Sequence, residues 1–250
     1  MHKDKKILAI RMFELGIKYT SILSPRLNTS LQKVERHLYE SHISNIKSDH
    51  LGLKPLDVIG VDPNKITRYS DSPFRNKKIP FRFGFGKILE GNWDKNRNSI
   101  YPEESRDILN DYVIVGFEEY FKQNIEWKNT SLYKKCQLEI EKGNPVWRGC
   151  KSIDEVDNQF RKYEKIYHKI SSEGYKSQDS LYSSRSTLNN RRNEILVDIS
   201  RHGELLFVDG FHRFVITRIL DINPVPVVIL CRHKNWIDNR EQLLAEISVL

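Results

Sequence analysis

The chain is expected to fold as an α+β domain: a small mixed β-sheet packed on helices, with further helices added at the N-terminus and inserted within it. Three observations carry this. Short runs of strand-like character lie at Leu56–Val61, Glu194–Ile199, Glu204–Val208 and Val225–Leu230. One long amphipathic stripe, Ile153, Val156, Phe160, Tyr163, Tyr167 and Ile170, recurs at steps of three and four residues, the period of a helix face. Between the last two strand runs stands a helical one, Phe211–Leu220, so strands and helices share one unit instead of segregating into all-α or all-β.

Taken in order, residues 4–50 read as two helices broken at Ser24-Pro25, with Ile10, Phe13 and Ile17 on one face and Leu31, Val34 and Leu38 on the next. Thr29 and Gln32 have capping-box spacing. Leu56–Val61 then forms a strand, and Asp62-Pro63-Asn64-Lys65-Ile66 turns out of it. Asp62 reads first as the residue that bonds the turn's N–H groups. The alternation Phe81, Phe83, Phe85 predicts a strand over Phe81–Leu89, whose rings either pack on the core or stack on bases. Trp93 and Asp94 follow in a polar turn and are candidates for a pocket wall.

Pro102 with Glu103 and Glu104 predicts a helix start, and Leu109, Tyr112, Val113, Phe117 and Tyr120 carry that helix to about Phe121. Trp127–Lys142 reads as another helix, ended by Gly143-Asn144-Pro145. The next helix spans Ser152–Glu173, opened by the capping box Ser152 to Glu155 and stopped by Gly174. Ser183–Asn193, with Arg185, Arg191 and Arg192, reads as a polar loop that an anionic ligand can touch. Glu194–Ile199 and Glu204–Val208 form a hairpin around His202-Gly203, the helix Phe211–Leu220 is broken by Asn223-Pro224, and Pro226–Leu230 is an apolar strand covered on both faces. Glu241–Leu250 closes the chain as a helix.

Composition narrows the function. The 250 residues carry 41 basic and 33 acidic side chains, a formal charge of +8, which suits a phosphate-bearing partner but is mild for a nucleic-acid binder. Cys136, Cys150 and Cys231 are odd in number and far apart, which argues against a disulfide framework or a zinc site and points to a reducing, cytoplasmic setting. The apolar stretch Ile7–Leu23 is interrupted by Arg11, Glu14 and Lys18, so it reads neither as a transmembrane segment nor as a signal peptide.

Chemistry concentrates at Asp209-Gly210-Phe211-His212-Arg213. A Gly at the exit of a strand, with His and Arg on the first helical turn, makes an anion-binding corner: the first N–H groups lack intrahelical partners, the dipole adds about half a positive charge, and a guanidinium grips phosphate with two donors. The same residues also read as a plain turn with solvated polar side chains.

The order of helix ending in Gly174, polar Gln178 loop, strand pair, Asp209-Gly210-x-His212-Arg213 helix start and Val-Pro-Val strand resembles the ParB/sulfiredoxin superfamily. Partition-protein N-terminal domains open the helix with G-E-R-R, sulfiredoxins with G-G-C-H-R, and the related free-serine kinases with D-G-H-T-R. The Asp62–Ile66 turn is similar to the turn after those proteins' first strand. The likeness covers Leu56–Ile66 loosely and Ile153–Arg232 well, and its motif is of moderate specificity. It implies a helical extension over residues 1–50 and a ParB/sulfiredoxin-like domain over 51–250 with a helical insertion at about 100–150.

The resemblance also implies nucleotide phosphates (ATP, ADP or CTP), with Mg²⁺ as their divalent ion, at the corner. By position, Gly210, His212 and Arg213 would contact phosphate, and Asp209 would position the turn or a metal. His212 and Asp209 are the candidate catalytic residues, and no fixed protein metal site is assigned. Phe211 stands where sulfiredoxins carry the cysteine and partition proteins the glutamate, so thiol chemistry is not expected and partition-type CTP hydrolysis is in doubt. The short stretch after Arg232 is expected to hold no helix-turn-helix domain.

Two functions follow as expectations. One is nucleotide-phosphate binding with phosphoryl transfer or nucleotide hydrolysis, for which Asp62, Asp94 and His233 are unranked candidate bases. The other is a non-enzymatic nucleic-acid-binding module in which the basic N-terminal helices, the Phe strand and the Arg185–Arg192 loop clasp a backbone.

Overall fold

The computed structural model describes residues 54–75, 84–95, 111–182 and 190–239. The N-terminal helices expected over 1–50, the positions Phe81 and Phe83, the helix start at Pro102, Arg185 and the closing helix from Glu241 lie outside the described residues.

The described chain is a mixed α/β structure built on an open, mixed sheet. Its strands are β1 (Val58–Val61), β2 (Arg68–Tyr69), β3 (Lys87–Leu89), β4 (Ile195–Ile199), β5 (Leu205–Asp209) and β6 (Val225–His233). Among the described residues they run in the order β1-β6-β4-β5-β2, with β3 beside the far end of β6. β4 and β5 form the expected antiparallel hairpin, with Val197 opposite Phe207. β6 lies antiparallel to β1 and parallel to β4, setting Val228 between Val58 and Leu196.

The apolar run of β6 follows from this place in the sheet, since side chains of an interior strand meet core on both faces. Two corrections to the sequence expectations come from the same strand. β6 continues through Arg232 and His233, because β3 pairs parallel with it there, Lys87 with Cys231 and Leu89 with His233. β3 itself is only Lys87–Leu89; residues 84–86 are a turn closed by Lys87 N–H donating to Gly84 O at 2.9 Å. The two-residue β2, parallel to β5, had no periodicity to announce it.

Among the described residues the helices are α1 (Tyr112–Phe121), α2 (Ser131–Glu141), α3 (Ile153–Glu173), α4 (Gln178–Leu181) and α5 (Phe211–Ile219). The helix expected from Pro102 through Phe121 is not continuous across Asp111, and its described part begins at Tyr112. Asp111 has extended backbone, and its carboxylate accepts from Val113 N–H at 2.9 Å, so it caps a helix that begins at Tyr112. The expected helix Trp127–Lys142 is a 3₁₀ turn, Trp127–Asn129, followed by α2, whose first N–H groups are capped by Thr130. Ser152 caps α3 as the sequence predicted, and Gly174, at φ 75°, ends it.

One face of the sheet, with Ile195, Val197, Phe207, Val227 and Ile229, is buried together with Phe117, Phe160 and Phe214 of the helices. A second cluster gathers Leu196, Val208, Val228 and Leu230 with Phe74 and Phe85. The helices α1 and α2 meet at Gly116, where an added Cβ would sit 2.2 Å from Leu132 Cβ. Asp198 in β4 is fully buried, and burial pushes its carboxyl up. Ser70 Oγ donates to it at 2.6 Å, and the Cys231 N–H and thiol each donate at 3.0 Å. All three cysteines are free and buried. No helix among the described residues is long and apolar enough to cross a membrane.

Candidate functional site

The corner expected at Asp209–Arg213 forms at the end of the hairpin, where β5 runs straight into α5. Gly210 makes the junction. Its φ of 91° lies in the left-handed region, and a Cβ there would come within 2.9 Å of Ile195 Cα and 3.2 Å of Glu194 O. Both facts demand glycine. As N-cap, Gly210 offers no side chain to bond the first N–H groups of α5. The helix therefore opens with its donors uncapped, facing the end of the strand.

That opening lines a cleft of about 640 Å³, a volume within the range of small-molecule sites. Its walls come from α3, the Gly174–Tyr182 segment, the approach to β4, and a hairpin tip at Arg148. Among the described residues five cations line it, Arg148, Lys169, Lys176, Arg192 and Arg213, against the carboxylates of Glu173, Glu194 and Asp209. Glu173 is committed to Lys176 at 2.7 Å. A smaller hollow of about 330 Å³, between Tyr120, Asn124 and Tyr167, has no residue of the corner in its lining.

Arg213 is half-buried, with Nη1 3.6 Å from Glu194 Oε2. That separation is an electrostatic contact rather than a hydrogen bond, and Nη1 has no other partner among the described residues. Glu194 is almost wholly buried and accepts from Gln178 N–H and, at 3.4 Å, from the Tyr175 hydroxyl. Burial raises its carboxyl above the usual range, opposed chiefly by the Gln178 N–H and by Arg213. Burial likewise pushes the Tyr175 phenol up to about 12. Glu194 thus ties the guanidinium of α5 to the loop after α3.

His212 is buried, 8% exposed. Its ring stacks on Tyr163 with centroids 3.6 Å apart and planes 12° apart. Its Nδ1 lies 3.0 Å from Arg148 Nη2, and its Nε2 has no partner among the described residues. Burial, then Arg148 and Arg213, hold its pKa down at about 3. Asp209, by contrast, is exposed at the rim; its backbone pairs with Leu196 in the sheet, while its carboxylate makes no hydrogen bond or ion pair among the described residues.

The structure therefore brings Asp209, Gly210, His212 and Arg213 to one cleft. It does not bring Asp62, Trp93, Asp94 or His233 there, which corrects their candidacy as pocket residues or bases. Asp62 caps its turn through Asn64 N–H at 2.9 Å. Asp94 is buried, which raises its carboxyl, but hydrogen bonds from Arg201 outweigh this and leave it at about 2. The Arg201 contacts are 2.7 and 2.8 Å. His233 lies in the same cluster, with Nε2 3.0 Å from Gly91 O. Of the loop arginines, Arg192 lines the cleft, while Arg191 pairs with Asp179 at 2.7 Å.

Sequence reasoning missed Arg148, Glu194 and Tyr175, and read Tyr163 only as core. The one local signal was Arg148-Gly149 following a Trp in a turn. Among the described residues no three His, Cys, Asp or Glu side chains converge to hold a metal. Comparisons of the chain with protein-family models, curated proteins and solved structures find no match.

Proposed function

We propose that this chain is a nucleotide-phosphate-binding protein of ParB/sulfiredoxin-like type, with the phosphates held at the N-terminus of α5. The observation that carries the reading is the convergence, in one cleft, of an uncapped helix start, the Arg213 guanidinium, Arg148 and the Nε2 of His212, which has no partner among the described residues. Uncapped N–H groups and the helix dipole favour an anion, and planar guanidinium groups favour one with several equivalent oxygens. The apolar wall of Ile166, Ile170, Leu181 and Tyr182 leaves room for a base and sugar.

Phosphoryl transfer or nucleotide hydrolysis is the chemistry this arrangement suits, because such reactions rest on positioning and on stabilising charge at the phosphoryl oxygens. Among the described residues, Asp209 is the cleft carboxylate without a side-chain partner, so it would hold a Mg²⁺ that arrives with the phosphates. One or two carboxylates suffice for such an ion, and when bound it neutralises phosphate charge.

A thermal-shift panel of ATP, ADP, CTP and GTP, each with and without Mg²⁺, tests the reading. A ligand at a hundredfold excess over its Kd stabilises by about 2.7 kcal/mol, a midpoint rise of roughly 5–10 °C for a chain of this size. Arg213→Lys keeps the charge and loses the fork, and the ligand-induced rise is expected to shrink in it. No rise with any nucleotide, or the same rise in the variant, overturns the reading. Affinity for nucleic acid that collapses steeply with salt, without a mononucleotide effect, would favour the binding-module alternative.

A further inference from the structure

We infer that Arg148 is a positioning residue for the corner, fixing the His212 imidazole with its proton on Nε2, so that His212 offers a bound phosphate oxygen a donor and not a base. The inference rests on the phosphate-binding reading for its ligand, though not for its geometry.

Arg148 sits at the tip of a tight hairpin in which Val146 and Cys150 exchange two backbone hydrogen bonds of 2.9 Å. Arg148 has φ 64° and ψ 19°, and Gly149 follows at φ 80°. A left-handed conformation is strained for a non-glycine residue, and such strain persists only where the surroundings impose it. The anchor is Trp147, buried with its ring 5.8 Å from Phe117 and 5.2 Å from Tyr163. The indole is held inside the helical core while the next residue is turned outward over the cleft.

What Arg148 does there follows from donor and acceptor chemistry. A guanidinium carries five N–H donors and no acceptor, so at 3.0 Å from Nδ1 it can only donate. Nδ1 must therefore hold the lone pair, and the proton of the neutral ring must be on Nε2. Stacking on Tyr163 fixes the ring plane. Among the described residues the groups facing the imidazole are Arg148 from the hairpin, Tyr163 and Trp147 from the core, and Phe211 and Arg213 on its own helix. None of them accepts a proton from Nε2. A buried donor left without an acceptor is destabilising, and this one has none among the described residues, so this N–H points to a ligand that supplies one. Phosphate oxygens supply only acceptors, which matches the polarity the tautomer sets.

The test uses the full chain labelled with ¹⁵N-histidine, with long-range ¹H–¹⁵N spectra of the imidazoles near neutral pH and His212 assigned through His212→Gln. The wild type is expected to show an unprotonated Nδ1 and a protonated Nε2, and pyrophosphate is expected to shift the Nε2 signal. Arg148→Ala is expected to let the proton populate Nδ1 and to weaken pyrophosphate about tenfold, the value of one charge-assisted hydrogen bond. Arg148→Lys, which still donates, is expected to restore the tautomer. A wild-type ring protonated on Nδ1, or a tautomer unchanged in Arg148→Ala, overturns the inference. If Arg148→Ala does not fold, Arg148→Met, which keeps the stem's packing and removes the donor, takes its place with the same two outcomes. A fixed Nε2 proton without any pyrophosphate response would instead overturn the phosphate-binding reading and leave the role of Arg148 toward His212 standing.

Discussion

Where a free imidazole takes up a proton, His212 stays neutral, because burial, Arg148 and Arg213 all disfavour the imidazolium. The consequence for stability has a definite sign. With a folded pKa of about 3 against an unfolded value of 6.5, the unfolded chain binds more protons between those limits. Stability therefore rises with pH across this window and is lost as pH falls below 6.5, by up to about 1.4 kcal/mol per pH unit from this residue. Glu194 and Asp198, whose carboxyls are raised, act in the opposite sense, so the effect is best read as a difference. Urea unfolding of wild type and His212→Gln at pH 7.5, 6.5, 5.5 and 4.5 should show the wild type losing ground to the variant as pH falls. A pH-independent difference would contradict the buried, neutral assignment. At this scale the sequence disclosed Gly210, His212 and Arg213 because they are contiguous and chemically distinctive. It hid Arg148, 64 residues from His212, whose relevance depends on a tertiary contact. It also hid the second role of Tyr163, since a stripe at helical spacing marks a core face whatever its ring edge touches.

Among the elements, the helix pair α1 and α2 sets how the hairpin of Arg148 is held, since Trp147 packs on Phe117 of α1 and near Trp127 before α2. Gly116 allows the two helices their close approach. Gly116→Ala would place a methyl 2.2 Å from Leu132 Cβ, inside contact distance of a side chain that cannot swing aside at that atom. It should cost about 1–3 kcal/mol of overpacking, seen as a lowered urea midpoint with unchanged slope. An unchanged midpoint would mean that the pair is not packed as described. Capped and strongly periodic elements such as α3 were legible in the sequence. Less so were the boundaries that tertiary contacts decide. Arg232 and His233 look like loop residues by charge, yet pairing with β3 keeps them in the strand, and Gly91 O accepts from His233 Nε2 at 3.0 Å. Asp111 looks like a polar position inside a helix and is its cap.

Over the whole molecule, the alternation of strands and helices was enough to foresee a mixed sheet under helices, since each run must bury its apolar face against another. The cleft was not foreseeable in the same way. It is made where α3, the segment after Gly174, the start of β4, the Arg148 hairpin and α5 meet, and only the last of these carries a local motif. The formal charge of +8 favours anions in general, but the site concentrates its cations around one uncapped helix start. If this start receives phosphate, an amide ¹H–¹⁵N correlation spectrum of the full chain titrated with ATP and Mg²⁺ should show it. Saturable shifts are expected at the amides of Phe211, His212 and Arg213, with Gly210 and Gln178 moving less. Shifts confined to other regions, or none at millimolar nucleotide, would rule out phosphate at the start of α5.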